Sequence, residues 1–127
     1  MKLEFVGHQG DVMIFKIDEF PSGNRFQDDL TKNSQLALGE LSGHNHYFDD
    51  SSAVDLFKID DKRYEGMTFV ETKKPVNLVH GLIKGFKGKE ADKDYHNEIS
   101  FKENEKYVTS IVEETDWITR QVRRVVD

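Results

Sequence analysis

Residues 53–79 read AVDLFKIDDKRYEGMTFVETKKPVNLV, and this stretch decides the fold class. Ala53 to Ile59, Met67 to Glu71 and Val76 to Val79 are short runs rich in β-branched and aromatic residues. Asp60-Asp61-Lys62 and Lys73-Lys74-Pro75 interrupt them. Branched and aromatic side chains suit a pleated, half-buried surface, and short runs bounded by turn formers read as strands.

The same rhythm continues outward on both sides. Upstream, Lys2 to Val6 and Val12 to Ile17 flank Gly7-His8-Gln9-Gly10, which reads as a turn-rich link. Pro21-Ser22-Gly23-Asn24 ends the second run, and residues 24–33 read as a loop or one short helical turn. Gln35 to Leu38 and His44 to Phe48 enclose the glycine-bounded segment Gly39 to Gly43. Downstream, residues 84–95 are rich in charge and glycine and read as an exposed loop. Ile99 to Phe101 and Tyr107 to Val112 flank Lys102 to Glu105, which reads as a hairpin turn. In the tail, Ile118, Val122 and Val125 follow Asp116 at helical spacing and predict a short C-terminal helix, although Ile118, Val122 and Val126 also fit a strand. About eight strands at ~8–12-residue spacing predict an all-β single domain, a small barrel or sandwich.

Composition narrows the function classes. The 127 residues carry 18 Lys and Arg against 24 Asp and Glu, a net charge of −6. Nucleic-acid binding rests on basic side chains neutralising phosphates, and docking on an anionic membrane needs the same sign, so neither partner is expected. The chain has no cysteine, which excludes disulfide frameworks, zinc ribbons and thiol nucleophiles. No segment has the apolar length of a signal peptide core or a membrane span. The expected location is the cytoplasm, or a virion if the chain is a phage structural protein.

The sharpest local motif is Gly39-Glu40-Leu41-Ser42-Gly43-His44-Asn45-His46. Residues i and i+2 of a strand share a face about 7 Å apart along the chain, so His44 and His46 could lean onto one ion. Imidazole nitrogens bind zinc at ~2.0–2.1 Å and suit iron, nickel and copper as well. Glu40 lies near enough to act as ligand, supporting partner or general base. His80 ends one strand and His96 opens another, so pairing across the 84–95 loop would bring them together. The plainer reading makes His44 and His46 hydrogen-bonded strand histidines beside a turn, His80 a satisfied, partly buried residue, and His96 an exposed polar residue at a strand start. Asp11 after Gly10 reads as an ordinary turn acid, and His8 has no spacing partner.

With these segments in view, the chain resembles an uncharacterised family of short bacterial and bacteriophage proteins. Their pattern joins an N-terminal QGDV, a proline-glycine turn, a GE-x-TGH-x-H segment, a histidine-bearing EH segment, a tyrosine-containing strand and a final R-x-V-x-D. Gln9-Gly10-Asp11-Val12, Pro21-Ser22-Gly23, Gly39 to His46 and Arg123-Arg124-Val125-Val126-Asp127 carry the likeness. Ser42 stands where the pattern has threonine, and residues 84–95 look like an insertion. The resemblance implies that the glycine-flanked HxH is a signature of the family. The HxH is also similar to the first cupin motif, but the cupin glutamate and second motif are missing.

Three functions follow as expectations. The first is a β-barrel binding a divalent transition metal (Zn, Fe, Ni or Cu) through His44, His46, His80 and His96. With Glu40 as base it would be a metal-dependent hydrolase or oxygenase. The second is a self-associating or phage virion structural protein without catalysis. The third is a small-molecule binding module using a barrel mouth.

Overall fold

The computed structural model describes residues 2–38, 44–82 and 94–111. Ten strands fill them: β1 (Leu3–Gln9), β2 (Val12–Ile17), β3 (Arg25–Phe26), β4 (Gln35–Leu38), β5 (His44–Phe48), β6 (Val54–Ile59), β7 (Met67–Thr72), β8 (Val76–Leu82), β9 (Asp94–Phe101) and β10 (Lys106–Ile111). A single-turn helix, α1 (Asp29–Lys32), sits between β3 and β4. Asp28 caps it, its side chain accepting from the Thr31 amide while the Thr31 hydroxyl accepts from the Asp28 amide. No helix among the described residues is long and apolar enough to cross a membrane.

The chain is mainly β, as its sequence predicts. Of the two expected architectures it takes the sandwich: two antiparallel sheets, in the orders β1-β2-β10-β7-β6-β3 and β4-β5-β8-β9, without closure into a barrel. Alternation explains the packing. Val12 and Ile14 of β2, Leu56 of β6, Val70 of β7 and Tyr107 of β10 point from the larger sheet into the interior. Leu36, Phe48, Leu78 and Phe101 meet them from the smaller sheet. The intervening residues of the larger sheet, Phe57, Met67, Phe69 and Val108, build a second, aromatic cluster on its other face, joined by Tyr64 from the turn between β6 and β7. Strands buried on both faces lose polar alternation, and β7 (MTFVET), buried along nearly its whole length, shows no alternating pattern.

Several expectations are corrected. Lys102 to Glu105 is not a hairpin turn: β9 pairs with β8 in one sheet, and β10 pairs with β2 and β7 in the other. The turn is instead tied to the end of β7. Thr72 N–H donates to the Glu105 carbonyl, Asn104 N–H to the Thr72 carbonyl, and Glu105 N–H to the Thr72 hydroxyl. The chain therefore arches from sheet to sheet. Gly7, His8 and Gln9 are strand rather than turn, since β1 pairs with β2 as far as Gln9 opposite Val12, with a bulge between Phe5 and Gly7. Only Gly10 and Asp11 turn, with Gly10 at φ +57° in the first central position of a tight hairpin. The two-residue strand β3 was not foreseen, and β9 begins at Asp94, inside the stretch read as a loop. Residues 84–93 and the tail from 116 to 127 lie outside the described residues.

Candidate functional site

The antiparallel register of β5 with β8 sets Phe48 opposite Leu78 and, one pleat further, His46 opposite His80. Residues two apart on a strand share a face, so both histidines extend the interior row that Phe48 and Leu78 begin. On the facing sheet Gln9 is opposite Val12, an interior residue, and is turned inward with it. Polar side chains thus line this end of the sandwich.

These groups form a chain of hydrogen bonds. Gln9 is wholly buried; its Nε2 donates to the Leu78 carbonyl at 2.9 Å, and its Oε1 lies 2.8 Å from His46 Nδ1. A carbonyl only accepts, so Leu78 fixes which end of the Gln9 amide faces it. The other end is then an acceptor, and His46 must carry its proton on Nδ1 to donate to it. Three residues on three strands thereby set one tautomer, with the lone pair on Nε2.

His46 is 4% exposed. Burial lowers its pKa to about 4; the neighbouring His80 pushes it further down, and Asp11 opposes the fall. The ring is neutral at physiological pH. It stacks on His80, with ring centroids 4.6 Å apart and an interplanar angle of 17°. Its Nε2 lies 3.4 Å from Asp11 Oδ1, while the Asp11 side chain stays half exposed at the tip of the β1–β2 hairpin. That is longer than a normal N–H···O bond of about 2.7–3.2 Å. The neutral ring presents a lone pair and the carboxylate offers only acceptors, so two electron-rich atoms face one another at the mouth of the site. Gly10 borders the same space: a Cβ there would stand 3.3 Å from His46 Cε1 and 3.7 Å from Nε2.

Of the residues singled out by sequence, the structure brings His46 and His80 into direct contact. His44 is opposite Leu82 in the β5–β8 register. His96 is displaced. The β8–β9 register slips between Leu78 and His80, so the residue opposite His80 is Asp94, and His96 falls within the irregular part of β9. Glu40 lies outside the described residues. Among the described residues, no three side chains of metal-ligating type converge on one point. Sequence reasoning passed over Gln9 and treated Asp11 as an ordinary turn acid. The available signal was that QGDV and the GE-to-H-x-H segment both stood out as motifs, and these two segments meet here through Gln9, Asp11 and His46.

The family model of a domain of unknown function, DUF8820, matches residues 8–103. That span includes Gln9, Asp11, His46 and His80 but stops before β10, which lies between β2 and β7 in the larger sheet. No curated protein and no solved structure matches the chain.

Proposed function

The chain belongs to the DUF8820 family, and from that premise we propose that it carries a site for one divalent transition-metal ion, with His46 Nε2 and Asp11 Oδ1 as two of the ligands. The observation that carries this reading is their 3.4 Å separation. Two ligands held ~2.0–2.1 Å from one tetrahedral ion lie about 3.3 Å apart, so the pair has the dimension of one edge of a coordination tetrahedron. An ion between them also resolves the confrontation of a lone pair with a carboxylate.

The surroundings support the same chemistry. Metal-bound histidines characteristically donate their second ring N–H to an oxygen acceptor, which fixes the ring and raises its basicity. Gln9 Oε1 is that acceptor here. A pKa near 4 keeps the proton from competing for Nε2 at neutral pH. His44, two residues before His46 in the H-x-H segment, is the third ligand in this reading, with water or Glu40 as the fourth. His80 stacks on the ring of His46 and holds its plane rather than completing the set. Mixed nitrogen and oxygen donors suit zinc, iron, nickel or copper.

Such an ion supplies Lewis acidity and a bound water acidic enough to ionise near neutral pH. Asp11 is half exposed, so the site opens to solvent on its side. Metal-dependent hydrolysis is the reaction class this arrangement favours, with Glu40 as general base if it is not a ligand. Elemental analysis of the untagged protein tests the proposal, alongside Asp11→Asn and His46→Ala. Asp11 is the cleaner site because its side chain is outside the core. Near-stoichiometric metal that disappears in both variants is expected. No metal in the wild type, together with no rise in Tm on adding zinc, nickel or copper, overturns it.

A further inference from the structure

Gly10 and Gly66 are both turn glycines with positive φ, +57° and +78°. Positive φ favours glycine at both positions, so a side chain at either one strains the backbone. Space distinguishes the two glycines. A Cβ on Gly66 would meet nothing within 4 Å, whereas one on Gly10 would press on His46 at 3.3 Å from Cε1. Carbon atoms in van der Waals contact settle at about 3.5–4.0 Å, so ring or hairpin would have to give way. The ring cannot swing freely, because its Nδ1 is held by Gln9 and its face by His80. The hairpin tip would move instead, and it carries Asp11.

We infer that Gly10 is a positioning residue of the His46–Asp11 site: the side chain it lacks leaves room for the ligand-bearing hairpin tip to close on His46 Nε2. The inference rests on the metal-ion reading above and adds the element that sets the distance between the two ligands. A side chain at residue 10 lengthens the Nε2···Oδ1 edge and also crowds the flank of Nε2, where further ligands of the ion would stand.

Asn serves as the probe because it tolerates positive φ better than most side chains, and Gly66→Asn carries the same kind of backbone strain without the contact. Zinc affinity of the metal-stripped full chain is measured by calorimetry for wild type, Gly10→Asn and Gly66→Asn. Gly10→Asn is expected to bind zinc at least ~10-fold more weakly, the loss typical when support around a ligand is disturbed, with Gly66→Asn within about twofold of wild type. Zinc binding by Gly10→Asn within about twofold of wild type sinks the inference and leaves the metal site standing. A wild type that binds no zinc, nickel or copper removes the metal site itself and this inference with it. If Gly10→Asn does not fold, the same change is made in a His46→Ala background and the Tm values are compared. Recovery of folding there supports crowding by the ring, and failure in both backgrounds overturns it.

Discussion

Phe69, on the outer face of the larger sheet, and Gln9, at the polar end of the interior, are both 0% exposed, but they are held in place by different physics. Around Phe69 the rings of Phe57, Tyr64 and Phe20 stand at centroid distances of 5.7, 5.8 and 6.0 Å, and Arg25 lies over Phe57 at 4.3 Å. No single contact there is indispensable; what matters is filled volume and apolar area. Around Gln9 two hydrogen bonds, to Leu78 and His46, orient one amide and through it one imidazole. Little area is involved, and geometry is everything. The aromatic cluster stores stability and is indifferent to chemistry. The polar end spends stability on keeping a neutral ring with an outward lone pair.

Damage to the two regions should therefore read out differently, and the aromatic side should show the larger loss. Phe69→Ala removes a fully buried ring from three ring contacts. It should cost about 3–5 kcal/mol in urea unfolding, the usual range for such truncations. Zinc affinity of the molecules still folded should not change. A Phe69→Ala protein that keeps its stability but loses metal would abolish the distinction drawn between the regions.

Acid attacks only the polar side. His46 titrates at about 4 when folded against 6.5 as its ordinary value, so the unfolded chain takes up this proton first as pH falls. Its contribution is complete above pH 6.5, erodes between 6.5 and 4, and is gone below 4. The 2.5-unit gap corresponds to about 3 kcal/mol. Stabilised carboxylates act lower. Glu105, held down by the Tyr107 hydroxyl and by Lys16, loses its contribution below the usual carboxylate range. The stability difference between wild type and His46→Gln, followed by unfolding from pH 7 to pH 4, should fall by that amount inside the window. A flat difference would mean the imidazole is not held neutral by its burial.

The contrast also explains what was legible in the sequence. Apolar runs at period two reveal strands, so β2 and β5 to β8 were readable, and the aromatic residues of β6 and β7 declared a core. Pairing partners were not readable. Two strands joined by four polar residues look like a hairpin whether they pair or diverge, and the residue that decides, Thr72, is thirty positions away from the turn it anchors. The site was half legible for the same reason. His44-x-His46 is a local signal, and the opposition of His46 and His80 follows from regular strand pairing. The pairing of β8 with β9 follows the expectation, but an irregularity in β9 shifts the register around His96, which no local pattern announces. Gln9 escaped because a polar residue next to Gly10 reads as turn, while the fold buries it completely. A buried amide leaves no trace in hydrophobic periodicity.

Gln9 therefore offers the sharpest test, though the smallest change in stability. Gln9→Leu keeps the volume and removes the hydrogen bonds to Leu78 and His46. The Leu78 carbonyl and the His46 ring nitrogen each lose their Gln9 partner, a cost of about 2 kcal/mol at a buried position. The consequence for the site is larger than that figure suggests. Nothing then holds the proton on Nδ1, so the ring gains by moving it to Nε2 and donating to Asp11. The lone pair turns away from the mouth, and an ion must first displace the proton. Nitrogen-15 NMR of the metal-free protein should show His46 as the Nδ1–H tautomer in the wild type and a shift toward Nε2–H in Gln9→Leu. Zinc affinity should drop by about 10–100-fold in parallel. An unchanged tautomer with unchanged affinity would show that the Leu78–Gln9–His46 chain is only another piece of core packing, no different in kind from the rings around Phe69.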